Sequence, residues 1–274
     1  MALLAIPAAA SIARAQDASA WKAESHAAAR LIGGAPAQST DTAERLAGLE
    51  IRLDPGWDTY WRYPGDSGMP PTFDFVGSKN VKAVTVEWPA PERFSDGTGG
   101  HSIGYRGDVV LPLRVTAEDP AKPSQLHVKF GYAICGKLCV PAEAELDLVL
   151  SGKDGSNQPA LTAAEARVPR RVALGAAGGL AIRSVRREDG SARVLVEVAA
   201  ADGTPVDLFV EGPTPDWALP VPEPDNAPAA GSPHVRRFVF DLDRLPPGAK
   251  ADGATLTVTA VSPADAIEVR AQLD

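Results

Sequence analysis

Residues 125–150 read QLHVKFGYAICGKLCVPAEAELDLVL, and this stretch predicts two β-strands joined by a turn that carries both cysteines of the chain. We place the strands on either side of the CGKLC segment, at residues 125–134 and 142–150. A tight hairpin allows the Cα atoms of Cys135 and Cys139 to approach within the about 4.4–6.8 Å that a disulfide needs. The stretch therefore predicts a cysteine pair at the tip of a β-hairpin.

Short segments of alternating apolar and polar residues, which are typical of half-buried strands, recur upstream of this hairpin. They are residues 49–53, 57–61, 81–88 and 105–116. Residues 89–104 are rich in Gly and Pro and are expected to form a long loop. About seven short strands with turns between them are typical of a β-sandwich. We therefore predict that residues 20–152 form one such domain.

The second half of the chain predicts a second domain. The polar stretch SGKDGSNQP interrupts the strand pattern, and we expect residues 153–170 to act as a linker. Alternating segments then return, for example at residues 192–199 and 234–242. The prediction is an all-β chain with two β-sandwich domains in tandem, of which the second and smaller one spans residues 171–274.

Charge and hydropathy argue against two further classes of protein. The 274 residues include 27 Lys and Arg against 35 Asp and Glu, which gives a formal net charge of −8. Nucleic-acid binding depends largely on Lys and Arg side chains that neutralise phosphates, so we expect no nucleic-acid partner. No apolar run reaches the about 20 residues that a transmembrane helix needs, so we expect no transmembrane segment in this chain.

The N-terminus resembles a secretory signal peptide, which we place at residues 1–15. Residues 2–10 are apolar, and Ala13-Arg14-Ala15 is a cleavage site of the A-x-A type. No Lys or Arg precedes the apolar run, which leaves open a truncated leader or an accidental likeness. On this interpretation the mature protein is exported to an oxidising compartment, where two nearby cysteines can form a disulfide.

The two cysteines admit three interpretations: a redox-active pair, a structural disulfide or a metal site. Closing a loop of five residues stabilises a fold by about 2 kcal/mol in the chain-entropy model, against about 5 kcal/mol for a hundred residues. Gly136 suits the turn because glycine readily adopts the positive φ that hairpin turns often require. Lys137 lies between the thiols and favours the thiolate that exchange needs. The spacing favours a redox-active pair over the two alternatives.

His101 is the histidine that could complete a metal site. Together with Cys135 and Cys139 it would form a Cys₂His set for Cu(I), since soft thiolates select that ion. This gives a Cu(I)-binding or copper-tolerance protein as the alternative function. Trp57 is expected to pack in the sandwich, as aromatic residues on alternating strands commonly do, and His26 is interpreted as a surface or packing residue.

Three groups of residues together resemble one family, the N-terminal periplasmic domain of DsbD-type thiol:disulfide interchange proteins, and in particular its ScsB-like branch. The resemblance covers roughly residues 25–150. The segments that carry it are GWDTYWR at 56–62 with PGDSG at 64–68, EWPAPERF at 87–94 with GY at 104–105 and VLP at 110–112, and Cys135 with CVPAEAEL at 139–146.

The resemblance implies an immunoglobulin-like sandwich whose Cys135 and Cys139 cycle between dithiol and disulfide without a cofactor. It implies a periplasmic protein that receives electrons from a membrane-embedded thiol reductase and passes them to thioredoxin-like proteins, with links to cytochrome c biogenesis and copper tolerance. Tyr60 matches an aromatic position that flanks the active site. Residues 91–104 correspond to a cap that shields the cysteines, with Phe94 as its candidate aromatic.

This sequence departs from the best-known members of the family in two respects. Those members separate their cysteines by five residues and carry an aromatic residue at the tip of the cap. Here three residues separate the cysteines, and the predicted tip is rich in glycine. Within the family the C-terminal cysteine, which is Cys139 here, is the one expected to contact partners.

Overall fold

The computed structural model describes residues 17–36, 43–95, 99–151, 155–225, 234–242 and 245–274. The signal peptide expected at residues 1–15 lies outside this described part of the chain. No helix among the described residues is long and apolar enough to cross a bilayer.

The N-terminal half is built from β-strands. In chain order they are β1 (Lys22–Glu24), β2 (Ala27–Pro36), β3 (Glu44–Leu53), β4 (Asp58–Gly65), β5 (Thr72–Asp74), β6 (Ala83–Val86), β7 (Glu92–Ser95), β8 (His101–Arg106), β9 (Val109–Thr116), β10 (Ser124–Cys135) and β11 (Cys139–Leu150). One sheet has the order β1-β2-β3-β9-β6, and the other has the order β11-β10-β4-β8-β7 with β5 paired to β10. All of these pairings are antiparallel.

The two sheets enclose one apolar core, because alternate residues of each strand point inward. Leu49 and Leu111 contribute from the first sheet, and Trp61, Val128 and Phe130 contribute from the second. The alternation is clearest in β11, where every second residue from Ala142 to Leu150 is buried. This is the first sandwich.

The C-terminal half contains one short helix and a second set of strands. They are α1 (Gln158–Glu165), β12 (Arg170–Arg171), β13 (Ala181–Arg187), β14 (Arg193–Ala199), β15 (Asp207–Glu211), β16 (Glu223–Asp225), β17 (Val235–Asp241), β18 (Thr255–Val261) and β19 (Ala266–Gln272). Two four-stranded sheets, β12-β19-β18-β15 and β13-β14-β17-β16, form the second sandwich. Its own core includes Val196, Phe238 and Val258. The all-β fold with two immunoglobulin-like sandwiches in tandem is confirmed.

Helix α1, in the segment expected to be a linker, packs on the outside of the first sandwich. Leu161 is fully buried against Ile32 and Leu46. Gly34 and Gly48 provide the space, since a Cβ atom on either one would lie 2.6 Å from a methyl group of Leu161. The chain that leads to the second sandwich is therefore anchored to the first by a buried side chain.

Candidate functional site

The two cysteines form a disulfide at the tip of the β10–β11 hairpin. The register of these strands runs without interruption from Ser124 opposite Leu150 to Cys135 opposite Cys139. The S–S distance is 2.01 Å, and the Cα–Cα distance of 4.1 Å is slightly shorter than the expected range. Strand pairing alone therefore brings the two sulfur atoms together, as the sequence of the hairpin predicts.

Gly136 has a different role from the one predicted. It is not among the glycines with positive φ. Instead, the indole of Trp57 lies against it, and a Cβ atom at this position would be 3.1 Å from the ring. The absence of a side chain at Gly136 thus allows an aromatic ring to approach the loop that joins the cysteines.

The two cysteines differ in their access to solvent. Cys135 is 9% exposed and packs with Tyr60 and Ala133 in a small buried cluster. Cys139 belongs to the exposed tip of the hairpin, next to Leu138, which is 77% exposed. A molecule that approaches the disulfide from solvent therefore meets Cys139 first.

Tyr60 places its hydroxyl on the disulfide. Its oxygen lies 2.8 Å from Sγ of Cys135 and 3.2 Å from Sγ of Cys139. Neither sulfur carries a hydrogen in the disulfide, so the Tyr60 hydroxyl donates. The residue is only 4% exposed, and Gly68 lies against its ring, where a Cβ atom would come within 2.4 Å. The structure thus brings the predicted flanking aromatic residue into contact with both sulfur atoms.

Strand β4 holds Tyr60 at this place through a short pairing with β10. Thr59 lies opposite Ile134, and Asp58 lies opposite Cys135. The hydroxyl of Thr59 also donates a hydrogen bond of 2.8 Å to the carbonyl oxygen of Ala133. Tyr60, the next residue along β4, therefore reaches the sulfur atoms by way of this pairing.

Asp58 is a site residue that the sequence analysis missed. Burial raises the pKa of its carboxyl, Arg106 acts to lower it and Glu92 acts to raise it further. Its side chain shares a sheet face with that of Cys135, because directly paired residues point to the same side. When ionised, a carboxylate on the neighbouring strand position disfavours a thiolate on Cys135 through like-charge repulsion. No local motif marks Asp58, since only strand register brings it to the cysteine.

An apolar groove of about 550 Å³ lies beside the disulfide loop, and its walls include Trp57, Lys137, Leu138 and Val140. The ring of Trp57 stacks on that of His26, with 4.1 Å between centroids. Lys137, predicted to support the thiolate, lies at the exposed tip of the hairpin. From the sequence, Trp57 and His26 were expected to be packing or surface residues, and no sequence pattern indicated this groove.

The segment predicted to be a cap forms strands rather than a long loop. Among its described residues, β7 and β8 pair as an antiparallel hairpin, and β8 pairs in turn with β4. Phe94 is buried in β7, opposite Ser102, with the guanidinium carbon of Arg106 5.2 Å from its ring centroid. The prediction of a loop at residues 89–104 is therefore wrong, because backbone pairing at the sheet edge outweighs the local Gly and Pro content. The cap role of residues 91–104 and of Phe94 stays a prediction.

His101 is not brought to the cysteines. It lies five residues before Arg106, which is opposite Asp58 and so in line with Cys135. At about 3.3 Å per strand residue, His101 is displaced by about 16 Å along the strand direction from the level of Cys135. His101 instead lies with its Nδ1 atom 3.5 Å from a carboxylate oxygen of Glu223. Among the described residues no group of three or more His, Cys, Asp or Glu side chains is arranged to hold a metal ion.

Comparisons with known proteins agree on the type of domain. Residues 29–151 match the family described as thiol:disulfide interchange protein DsbD, N-terminal. Among solved structures, the N-terminal periplasmic domain of ScsB from Proteus mirabilis superposes with a TM-score of 0.73 and 20% sequence identity, over 94% of this chain and 98% of that one. At that identity the likeness establishes a shared fold. No curated protein matches the sequence.

Proposed function

We propose that this chain, whose residues 29–151 form a thiol–disulfide exchange domain of the DsbD N-terminal type, relays electrons in the periplasm from a membrane-embedded thiol reductase to thioredoxin-like proteins. The observation that carries the proposal is the disulfide itself, with Cys139 at an exposed tip and Cys135 buried beneath the Tyr60 hydroxyl. The periplasmic location is supported by the similar ScsB domain, which is itself periplasmic.

The relay consists of two thiol–disulfide exchanges. In the reduced protein the thiolate of Cys139 attacks one sulfur of a partner disulfide, which forms a mixed disulfide and releases the other partner sulfur as a thiolate. The thiolate of Cys135 then attacks Sγ of Cys139. This step closes the internal disulfide and releases the second partner thiolate. Two electrons pass to the partner, and the reductase restores the dithiol by the same steps in reverse.

The environment of the cysteines suits these roles. Exposure lets the sulfur of Cys139 meet a foreign disulfide, while burial keeps Cys135 available for the internal step. The Tyr60 hydroxyl lies within 3.2 Å of both sulfur atoms, so it can donate to whichever one carries negative charge. A charge-assisted hydrogen bond of this kind stabilises a thiolate more than a neutral sulfur. Copper binding through Cys135, Cys139 and His101 has no comparable support, because His101 lies elsewhere on the sheet.

Single-cysteine variants test the proposal. Cys135→Ala leaves only the exposed Cys139, and it should form a mixed disulfide with a periplasmic thioredoxin-like protein that carries an oxidised active site, visible on non-reducing gels. The matched variant Cys139→Ala leaves only the buried thiol and should give at least tenfold less adduct. Equal trapping by the two variants would contradict the assignment of Cys139 as the attacking residue.

The reduction potential of the wild-type pair separates exchange from a structural disulfide. Structural disulfides typically have potentials below about −300 mV, and labile or catalytic ones have higher values. We expect a value above that limit in equilibrium with glutathione. A potential below about −300 mV, together with no adduct from either variant, would show that the disulfide is structural.

A further inference from the structure

The second sandwich contacts strand β4 at the residues that directly follow Tyr60. The next residue, Trp61, is fully buried, and its ring centroid lies 5.9 Å from that of Phe209 on β15. Two residues further on, the hydroxyl of Tyr63 donates a hydrogen bond to the carbonyl oxygen of Leu219. The apolar core of the first sandwich thus continues into the second at this strand.

Arg62, between those two residues, makes the polar part of the contact. Its Nε and Nη2 atoms donate to the carboxylate of Glu211 at 2.6–3.0 Å, and Nη2 also donates to Glu268 at 2.6 Å. The side chain is only 23% exposed, and that of Glu268 is 10% exposed. Burial acts to lower the pKa of Arg62, but both carboxylates raise it. The planar fork of arginine thus bridges strands β15 and β19 of the second sandwich from a strand of the first.

A second arginine, Arg93, binds the β7–β8 hairpin to the second sandwich. Arg93 on β7 donates to the carbonyl oxygens of Leu208 at 3.2 Å and Pro222 at 2.7 Å. It also pairs with the carboxylates of Asp207 at 2.8 Å and Glu223 at 3.0 Å. The β7–β8 hairpin, which lies beside β4 in the same sheet, is therefore also held by the second sandwich.

Within the first sandwich, the regular pairing of β4 ends at Tyr60. Its pairing with β10 consists of two residue pairs, Thr59 with Ile134 and Asp58 with Cys135. Its pairing with β8 is regular from Asp58 to Tyr60 and is then interrupted until Gly65. Beyond Tyr60 the strand therefore lacks a regular ladder over several residues, and there the contacts with the second sandwich are made.

We propose that Arg62 is a positioning residue through which the second sandwich holds the Tyr60 hydroxyl on the sulfur atoms, so that this sandwich tunes the redox chemistry of the first. The inference rests on the proposed function and gives the cysteine-free second sandwich a role in it. Loss of the ion pairs between Arg62 and the second sandwich makes β4 more mobile beyond Tyr60. The Tyr60 hydroxyl then donates less effectively to the thiolates of the reduced protein. The equilibrium shifts toward the disulfide, and the thiol pKa rises.

The test is the equilibrium of the full chain with glutathione at about pH 9, above the pKa of about 8.5 of an ordinary cysteine. Arg62→Gln should shift the equilibrium constant toward the disulfide by about threefold to tenfold, where tenfold corresponds to about 30 mV. Glu211→Gln removes one of the two carboxylates, should shift it less in the same direction, and serves as the test if Arg62→Gln does not fold. The matched control is Arg114→Gln. Arg114 is likewise bound by several carboxylates, those of Glu44, Glu87 and Glu165, but it lies on the other sheet of the first sandwich.

A double variant distinguishes positioning from general loosening of the fold. In the background of Tyr60→Phe, which has no hydroxyl to position, Arg62→Gln should cause no further shift. The inference is overturned if Arg62→Gln leaves the equilibrium constant unchanged, if Arg114→Gln changes it equally, or if the shift persists without the Tyr60 hydroxyl. Because glutathione reports the cysteine pair directly, these results stand apart from partner trapping, which tests the proposed function.

Discussion

Removal of one hydroxyl, in Tyr60→Phe, should make the cysteine pair less acidic and less oxidising. The ring stays buried against Gly68, so the substitution removes only the donor that lies 2.8 Å from Sγ of Cys135 and 3.2 Å from Sγ of Cys139. In the reduced protein this donor stabilises a thiolate. In the disulfide it meets only a neutral sulfur, which accepts weakly. The substitution therefore destabilises the reduced, charged form more than the oxidised form.

The size of the effect follows from the hydrogen bond that is lost. A hydrogen bond to a charged group contributes about 1.5–3 kcal/mol, and one between neutral groups contributes about 0.5–1.5 kcal/mol. The difference, about 1–2 kcal/mol, corresponds to a rise of about one unit in the thiol pKa. For a two-electron couple about 1.4 kcal/mol equals about 30 mV. We expect the reduction potential to fall by about 20–40 mV at a pH above the thiol pKa.

Two measurements follow this change independently. The pH dependence of alkylation in the reduced protein gives the thiol pKa, and equilibration with glutathione gives the potential. Tyr105→Phe is the matched control, because the Tyr105 hydroxyl is also buried in this sheet but donates to the carbonyl oxygen of Pro89. An unchanged thiol pKa in Tyr60→Phe, or an equal change in Tyr105→Phe, would refute the argument that the Tyr60 hydroxyl stabilises a thiolate.

Two further substitutions test the pH dependence of the site and the packing of the helix. Burial raises the pKa of Asp58 above its ordinary value, so the folded state favours the protonated carboxyl. The stabilisation from this protonated side chain is fully present at a pH below the ordinary pKa, and it is lost as the pH rises through the pKa of the folded state. Asp58→Asn should therefore raise the melting temperature near neutral pH and flatten its decline above about pH 4; thermal unfolding that shows the same decline in both proteins would contradict this. Leu161→Ala should lower the free energy of unfolding of the first sandwich by about 2–5 kcal/mol, since it empties a fully buried site; a loss below about 1 kcal/mol in denaturant titrations would show that α1 is not an anchor.

The local sequence pattern was sufficient to predict the hairpin and the position of its two cysteines. The alternation from residue 142 to residue 150 matches the buried and exposed positions of β11, because a strand with one face on a core needs period-two hydrophobicity. The five-residue CGKLC segment between two predicted strands allows its two cysteines to meet at a hairpin tip, and they do. The resemblance added Tyr60, which no local spacing connects to the sulfur atoms.

Local pattern was misleading where backbone pairing with distant strands decides the conformation. Gly and Pro between residues 89 and 104 favoured a loop, yet β8 pairs with β4, a strand more than 35 residues earlier in the chain. Gly136 favoured a turn with positive φ, whereas its function is to leave room for Trp57. In both cases the deciding neighbour is far away in sequence and invisible to a reading of short segments.

The sequence by itself determined the all-β class and the close pair of cysteines, since both follow from periodicity and spacing within a few residues. Tertiary structure alone decided that Cys139 is exposed while Cys135 is buried, that Tyr60 meets Cys135 across 75 residues of chain, and that Arg62 meets Glu268 across 206. Such contacts depend on strand register and on the docking of two sandwiches. These are set by the combined packing of many side chains rather than by any one segment.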